Sequence, residues 1–206
     1  MKISIILPTR KRPALAHAFL QSLFETCQNP DAVEIVILLD NDDDSYRDFN
    51  SPFRSTLQIT GRRLGMGEIT YNGIIQSSGD IISLCNDDVL VQSKSWDTEF
   101  RKIHRRFSDG VYLMAPNDMN KSNNLFVFPV FSRKLFYLLE DFPKIYQGAF
   151  IDTHIHEIFK SLKFKGLDRM VFLEQTHFTH NHFLVTGEAP DSTYKERKGL
   201  VMIGLS

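Results

Sequence analysis

The most informative stretch of this chain reads Gly79-Asp80-Ile81-Ile82-Ser83-Leu84-Cys85-Asn86-Asp87-Asp88-Val89. Its apolar part has the composition of a short buried strand, and that strand runs directly into two adjacent carboxylates. Two neighbouring negative charges repel each other, so they need either water or a cation between them. In an α/β sheet, the carboxyl ends of the strands are also where ligands bind. The stretch therefore predicts a metal-assisted phosphate site at the edge of a sheet.

Length and composition limit the possible classes of protein. The chain has 206 residues, a length typical of one domain with a substantial core. Its net charge of -1 gives no basic field that would favour nucleic acid as a partner. No apolar run approaches the ~20 residues that a membrane span requires. The two cysteines, Cys27 and Cys85, lie far apart and form no Cys-x-x-Cys motif, so we expect a reduced, cytoplasmic protein.

The first half of the chain alternates strand and helix signals. We predict strands at 3–7, 33–39 and 57–60, and a fourth in the apolar stretch that follows Gly79 and leads into the Asp pair. A helix beginning at Pro13 is expected to bury one stripe of residues spaced four apart, namely Leu15, Phe19, Leu23 and Cys27. A second helix is predicted at 68–77. This alternation is typical of an α/β domain, with a largely parallel central sheet and helices on both faces.

The second half of the chain has a looser pattern. We predict further strands at 111–115, 125–131 and 170–173. Helices are predicted at 96–107, 133–139 and 154–162. A polar loop is expected at 117–124, and a polar surface tail from Glu188. Because no repeat or low-complexity linker divides the sequence, we expect a single domain over 1–206 with two functional halves.

Polar residues follow several of the predicted strands, and we expect them to meet at one edge of the sheet. They are Thr9, Arg10 and Arg12 after the first strand, Asp40 and Asp42 after the second, and Asn86, Asp87 and Asp88 after the fourth. Any one of these groups alone would be interpreted as a solvated strand end. Facing carboxylates, however, need a cation, and Mg²⁺ or Mn²⁺ takes such oxygen ligands together with substrate phosphates. Nearby arginines that could hold a diphosphate are Arg10, Arg12, Arg62 and Arg63.

Several segments of the chain follow one another in an order and spacing that are specific when taken together. They are Ile5-Ile6-Leu7-Pro8-Thr9-Arg10, Val33-Glu34-Ile35-Val36-Ile37-Leu38-Leu39-Asp40, Tyr71-Asn72-Gly73-Ile74 and Leu84-Cys85-Asn86-Asp87-Asp88. In this order they resemble the GT-A glycosyltransferases, in particular the family 2-like group. The resemblance covers residues 3–90 well and extends more loosely to residue 194.

The resemblance implies a Rossmann-like GT-A domain in which residues 1–115 bind a nucleotide sugar and residues 116–206 bind an acceptor. The nucleotide-binding set that it implies is Pro8, Thr9, Arg10, Arg12, Asp40, Asp42, Asn72 and Asn86. It also implies Mn²⁺ or Mg²⁺ held by Asp87 and Asp88, with Asp87 as the better ligand. Cys85 departs from the family motif, which has an acid at that position, so only Asp87 and Asp88 remain as carboxylate ligands.

A general base is implied by the same resemblance, since the family uses a carboxylate from the second half of the chain. Asp152 follows an apolar segment and precedes a predicted helix, which makes it the candidate. Asp is also among the best helix N-cap residues, so a capping role stays open as an alternative. Asp141 is a weaker second choice.

The late histidines form a further group of candidates. His180 and His182 would share one face of an alternating strand, ahead of Asp191-Ser192-Thr193-Tyr194. They resemble the late histidine that completes the metal or diphosphate site of many GT-A enzymes, so both are candidate metal ligands. His154 and His156 are expected to pack or to face solvent on their helix.

Together these expectations describe a metal-assisted, inverting transfer of a sugar from a nucleotide-diphosphate donor to a carbohydrate or other hydroxyl acceptor. Two alternatives stay open. A metal-dependent hydrolase would use the two His-x-His pairs with Asp87 and Asp152. A catalytically silent nucleotide-sugar-binding module is suggested by Cys85. No nucleic-acid partner and no transmembrane segment are expected.

Overall fold

The computed structural model of the protein describes residues 1–120, 124–140 and 142–181. In chain order its strands are β1 (Ile3–Pro8), β2 (Val33–Asp40), β3 (Thr56–Gly61), β4 (Ile81–Leu84), β5 (Val89–Val91), β6 (Leu113–Asn117), β7 (Val130–Ser132) and β8 (Met170–His180). Its helices are α1 (Pro13–Thr26), α2 (Met66–Gln76), α3 (Trp96–Arg106), α4 (Arg133–Leu138) and α5 (Ile151–Phe164).

The strands of the described ranges form one mixed sheet in the order β3-β2-β1-β4-β7-β6-β8-β5. β1 is parallel to both β2 and β4, and β2 is parallel to β3, so the amino-terminal half of the sheet is parallel throughout. β7 is antiparallel to both of its neighbours, β4 and β6. β8 is parallel to β6 and antiparallel to β5. The predicted α/β fold with a largely parallel sheet is confirmed.

Helices cover both faces of the sheet. One core cluster contains side chains of α1 and α3, such as Phe19 and Trp96. The other contains side chains of α2, α4 and α5, such as Phe136 and Phe159. β2 contributes to both clusters and is buried along its whole length. A strand covered on both faces is continuously apolar, which explains why its sequence shows no alternation.

Two predicted elements differ in detail from those observed. Leu15 is exposed, and α1 instead buries Ala16, Phe19, Leu20 and Leu23. A spacing of exactly four residues drifts away from the 3.6-residue period of a helix, so it cannot keep one face buried. The strand predicted at 125–131 is reduced to β7, because the N–H of Phe126 donates to Nδ1 of His156 at 3.2 Å rather than to a neighbouring strand.

Two other elements are longer than predicted, and both matter for the site. α5 begins at Ile151, before the predicted start at residue 154, and β8 continues to His180 instead of ending at residue 173. The extra length of β8 is stabilised by its pairing with β5. Across the described ranges, no helix combines the length and apolar character needed to cross a membrane.

Glu34 holds the turn that leads into β4. Its carboxylate accepts hydrogen bonds from Ser4 Oγ at 2.5 Å, from Ser78 N at 2.5 Å and from Gly79 N at 3.1 Å. It also pairs with Lys2 Nζ at 2.6 Å. Burial alone would raise the pKa of Glu34, but these hydrogen bonds outweigh it and lower the pKa to about 2. A Cβ on Gly79 would lie 2.4 Å from Ser4 Oγ, so glycine is required where the chain enters the strand that precedes the acidic pair.

Candidate active site

A cavity of about 110 Å³ opens where β1, β2 and β4 end. Its lining includes predicted nucleotide-binding residues and both adjacent acids, namely Pro8, Thr9, Arg10, Arg12, Asp40, Asn86, Asp87 and Asp88. The parallel pairing of β1 with β2 and with β4 places the carboxyl ends of these strands side by side. Polar residues far apart in the sequence therefore meet at this edge of the sheet, in the position that open α/β sheets use for ligands.

Arg10 links the ends of β1 and β2. Its guanidinium donates to Asp40 Oδ2 at 2.9 Å and to the two oxygens of Asp42 at 2.5 and 2.8 Å. The hydrogen bonds from Arg10 lower the pKa of Asp42 to about 2. Burial raises the pKa of Asp40, although Arg10 and Arg63 oppose that effect. Asp42 does not line the cavity itself, so its contribution is to fix the position of Arg10, which does.

Asp87 is held by side chains that follow β1. Its Oδ2 accepts a hydrogen bond from Thr9 Oγ1 at 2.6 Å, and its Oδ1 lies 3.1 Å from an Arg12 nitrogen. The Thr9 hydroxyl is in turn 2.6 Å from the hydroxyl of Tyr46. Burial raises the pKa of Asp87, with Arg12 and Thr9 acting in the opposite direction. Both carboxylate oxygens of the residue predicted as the better metal ligand are therefore engaged by protein groups.

Asp88 contacts His180, a residue that follows it by more than 90 positions in the sequence. His180 Nε2 is 3.2 Å from Asp88 Oδ1. The antiparallel pairing of β5 with β8 places Val89 opposite His180, and the N–H of Asn181 donates to the carbonyl of Asp88 at 2.8 Å. The backbone of the last strand thus brings the histidine to the acidic pair. The other member of the predicted His-x-His pair, His182, lies outside the described residues, as do Asp141 and the 191–194 segment.

Asp88 and His180 are two neighbouring groups of the site that could hold a divalent cation. Carboxylate oxygens suit Mn²⁺ and Mg²⁺, imidazole is a common ligand of first-row metals, and substrate phosphates often complete such sites. Within the described residues, no group of three or more His, Cys, Asp or Glu side chains is placed to hold a metal. Cys85 is buried, and its thiol lies 3.5 Å from Ser83 Oγ, in keeping with a packing role. A cation held by Asp88 and His180 would need further ligands, which the oxygens of a bound diphosphate could supply.

A second cavity, of about 240 Å³, adjoins the first. The two cavities share the residues Pro8, Met66 and Asn86. Asp152 and His180 both line the second cavity. Asn72, which lies on α2, lines neither of the two cavities. The two cavities are therefore neighbours, with Asp88 in the wall of the first and His180 in the wall of the second.

Asp152 lies in the first turn of α5 but is not its N-cap residue. That position belongs to Phe150, so the capping alternative for Asp152 is wrong. Asp152 Oδ1 accepts a hydrogen bond from the N–H of Thr153 at 2.8 Å. Burial raises the pKa of Asp152, and the nearby His180 acts in the opposite direction. The second cavity thus contains a carboxylate that is a stronger proton acceptor than a solvated aspartate.

Sequence reasoning missed the loop that closes the first cavity. The carbonyls of Tyr146 and Gln147 accept hydrogen bonds from the first N–H groups of α2, those of Gly67 at 2.8 Å and Met66 at 2.9 Å. A Cβ on Gly67 would lie 2.3 Å from the Pro143 carbonyl oxygen, so the loop can come this close only to glycine. The sequence signal for this contact was Gly65-Met66-Gly67 at the start of a helix. Two glycines so close together indicate that another backbone segment approaches, but they do not identify that segment.

The other histidines and Arg62 lie away from this site. His156 is buried in the core, where its Nδ1 accepts a hydrogen bond from the N–H of Phe126. His154 Nδ1 lies 3.1 Å from the hydroxyl of Tyr146. The metal-dependent hydrolase alternative requires both His-x-His pairs at one centre, and this placement of the first pair opposes it. Arg62 is exposed beside Glu68, whereas Arg63 lines the first cavity.

A family model with the description Glycosyl transferase family 2 matches residues 4–176 of the chain. The matched range begins in β1 and ends within β8, so it contains both cavities except for His180. A comparison with curated proteins gave no significant match.

Solved structures share this fold at low sequence identity. TarS 1-349 from S. aureus gives a TM-score of 0.62 at 16% identity over 86% of this chain and 59% of that one. The mannosyltransferase PcManGT from Pyrobaculum calidifontis, in complex with GDP-Man and Mn²⁺, gives 0.65 at 14% identity over 87% and 56%. Glucosyl-3-phosphoglycerate synthase from Mycobacterium tuberculosis, in complex with Mn²⁺, uridine-diphosphate and phosphoglyceric acid, gives 0.59 at 16% identity over 99% and 77%. The chain spans little more than half the length of the first two structures.

These comparisons agree with the architecture described above. The family match covers most of the chain, from the first strand to the last, and includes the acidic segment that follows β4. The solved structures are too distant in sequence to establish more than the fold, which they place among GT-A glycosyltransferases. The chain belongs to glycosyl transferase family 2.

Proposed function

We propose that the chain transfers a sugar from a nucleotide-diphosphate donor to a hydroxyl group of an acceptor. The observation that carries this proposal is that the two cavities adjoin each other and share Pro8, Met66 and Asn86 in their walls. The Asp88–His180 pair spans them, because Asp88 lines the first cavity and His180 the second. A transfer reaction needs such adjacent compartments, one for the donor and one for the group that attacks it.

The first cavity is the proposed donor compartment. Asp40 is placed to accept hydrogen bonds from the nucleoside, and Arg10 and Arg63 supply positive charge for the phosphates. Thr9 and Arg12 act through Asp87, whose orientation they set. Residues 1–115 line this donor cavity except for Gln147, whereas residues of both halves line the second cavity, the proposed acceptor compartment.

Asp88 and His180 are the residues proposed to hold Mn²⁺ or Mg²⁺. When bound, the cation would neutralise the negative charge that develops on the departing diphosphate. Asp87 stays a proposed ligand beside them, and Thr9 and Arg12 set the orientation of its carboxylate. The distant structures solved with Mn²⁺ are consistent with a divalent cation in this fold.

Asp152 is the proposed general base. Its position in the second cavity and the rise in its pKa caused by burial suit a group that removes a proton from an acceptor. In the proposed step the acceptor oxygen bonds to the anomeric carbon while the bond from that carbon to the phosphate oxygen breaks. The acceptor proton passes to Asp152, and the nucleoside diphosphate leaves. Such a direct displacement inverts the configuration at the anomeric carbon.

The test is the release of nucleoside diphosphate from a panel of nucleotide sugars, with mono- and oligosaccharide acceptors present, and with Mn²⁺, with Mg²⁺ or with chelator. Asp152→Asn should lower kcat by about 10²–10⁴-fold, because the acceptor loses its base. The matched control is Asp168→Asn, which changes an exposed acid that pairs with Lys163 on the surface. If the Asp152→Asn variant turned over at the wild-type rate, Asp152 would not be the general base. Failure of the wild-type chain to cleave any nucleotide sugar would contradict the proposed function.

A nucleotide-sugar-binding module without catalysis is the second candidate. Cys85 favours it, since the family motif has an acid at that position. It predicts that Mn²⁺ promotes nucleotide binding while every nucleotide sugar remains intact. The partly buried Asp152 in the adjoining cavity favours the enzyme instead, because a module that only binds the donor has no need of a base.

A further inference from the structure

Phe150 has an unusual backbone conformation for an aromatic residue. Its φ is 77° and its ψ is 2°, which is the left-handed region that disfavours residues with a side chain. The residue is 56% exposed, so burial in the core does not explain why a phenylalanine stands here. Non-glycine residues held in this region are concentrated at ligand-binding sites, where surrounding contacts maintain them. The conformation therefore suggests that an exposed ring at this position serves a ligand.

The surrounding residues hold Phe150 in place. Its carbonyl accepts the hydrogen bond from His154 N at 2.9 Å, so the residue forms the start of α5. The rings of Phe150 and Tyr146 lie with their centroids 6.2 Å apart. Tyr146 is itself fixed, because its hydroxyl lies 3.1 Å from His154 Nδ1 and its carbonyl accepts from Gly67 N. The exposed ring is thus preorganised by the loop and the helix on either side of it.

Phe150 stands between two depressions of the surface. It lines the cavity that contains Asp152. It also lines a groove along the outer side of α5, whose other residues are Tyr146, Thr153, His154, Glu157, Ile158 and Ser161. The groove combines aromatic rings with hydroxyl, imidazole and carboxylate groups. A sugar presents the matching surfaces, since its C–H face packs on an aromatic ring while its hydroxyls bond to polar side chains.

We propose that Phe150 is the platform for a second sugar unit of an oligosaccharide acceptor. The accepting unit would lie in the cavity beside Asp152, the next unit would pack on the Phe150 ring, and the chain would continue along the α5 groove. This inference rests on the proposed function and narrows it, because it makes the acceptor a glycan of two or more units rather than a monosaccharide. The role of Phe150 is to set acceptor specificity.

The experiment compares monosaccharides with the corresponding trisaccharides as acceptors, using glucose with maltotriose and N-acetylglucosamine with chitotriose. The measured quantity is the ratio of kcat/KM for the trisaccharide to kcat/KM for the monosaccharide. The wild-type chain should favour one trisaccharide by up to about tenfold, the range expected for one aromatic contact. Phe150→Gly should bring this ratio close to one, and Phe150→Tyr should keep it. A damaged fold would lower both activities together and leave the ratio unchanged.

Stability gives a second, independent measurement on the same variants. Glycine adopts positive φ without penalty, and little buried surface is lost at this exposed position. Phe150→Gly should therefore have a Tm no lower than that of the wild type while it loses the preference for the trisaccharide. Phe164→Ala, at an exposed position near the end of the same helix, is the matched control and should keep the wild-type ratio.

Two results would overturn this inference. One is a wild-type chain that shows no preference for the trisaccharide in either pair. The other is a preference that survives in Phe150→Gly. Neither result affects the proposed function, which depends on the release of nucleoside diphosphate from a nucleotide sugar. That release is measured without reference to acceptor length, so the two claims fail separately.

Discussion

Replacing Glu34 by Gln should destabilise the protein at neutral pH and have little effect in strong acid. Glu34 lies beneath the turn before β4, where its carboxylate accepts hydrogen bonds from Ser4, Ser78 and Gly79 and pairs with Lys2. Glutamine keeps one acceptor oxygen but loses the negative charge that strengthens these contacts. The perturbation is therefore confined to one buried cluster, distant from the two cavities.

The magnitude follows from the pKa of Glu34, which falls from an ordinary value of 4.5 to about 2 in the folded protein. A difference of about 2.5 in pKa corresponds to at most about 3 kcal/mol of stability, at 1.36 kcal/mol for each pKa unit, and solvent around Lys2 and Ser78 lowers this figure. A carboxyl whose pKa is lowered by folding contributes its full stabilisation above the unfolded value. That contribution is lost progressively as the pH falls from 4.5 towards 2.

The assay is urea unfolding of the wild type and Glu34→Gln at several pH values between 7 and 2. We expect the free energy of unfolding to differ by about 1–3 kcal/mol at pH 7, and the difference to shrink below pH 4.5. The other carboxylates titrate equally in both proteins, so the difference in the free energy of unfolding between them reports on Glu34 alone. Glu157→Gln, which removes an exposed acid paired with Lys160, should change stability by less than about 0.5 kcal/mol throughout. A wild-type and Glu34→Gln pair with equal stability at pH 7 would refute this reasoning.

Two further substitutions test contacts that shape the fold around the site. Gly67→Ala places a methyl group 2.3 Å from the Pro143 carbonyl oxygen, so we expect a loss of about 1–3 kcal/mol in urea unfolding together with weaker nucleotide binding. Gly61→Ala, where no atom lies within 4 Å, should leave nucleotide binding unchanged, and equal effects of the two substitutions would contradict the close approach. Asp97→Ala removes the fully buried partner of Arg101 and should cost about 3–5 kcal/mol in thermal or urea unfolding. A cost below about 1 kcal/mol would show that this ion pair does not stabilise the fold.

The parallel half of the fold and the donor cavity could be predicted because their signals are local. β1, β2 and β4 each contain an apolar run that ends in polar residues, and parallel pairing by itself brings such ends together. The same reasoning placed Thr9, Asp40 and Asp87 in one cavity, and all three line it. The composition of each segment was enough to predict this cavity, because the spacing between paired strands sets the distances between the residues at their ends.

The contact between Asp88 and His180 depends on the pairing of distant strands, which no local sequence pattern predicts. Asp88 meets His180 only because β8 extends beyond its apolar part and pairs with β5. The sequence could not decide which of the two adjacent acids faces the histidine, since this depends on the direction in which the chain leaves β4. The role of Phe150 was missed for a similar reason. The sequence alone does not distinguish an exposed phenylalanine at positive φ from one that is buried in the core.

The most direct test of the central claim is the affinity for Mn²⁺, measured by electron paramagnetic resonance in the presence of UDP or GDP. The claim is that Asp88 and His180, joined by the pairing of β5 with β8, hold a divalent cation against the diphosphate of the donor. We predict nucleotide-dependent binding of Mn²⁺ to the wild type, a loss of about tenfold or more in Asp88→Asn and in His180→Ala, and wild-type affinity in the exposed control Asp44→Asn. Wild-type Mn²⁺ affinity in both Asp88→Asn and His180→Ala would contradict the claim.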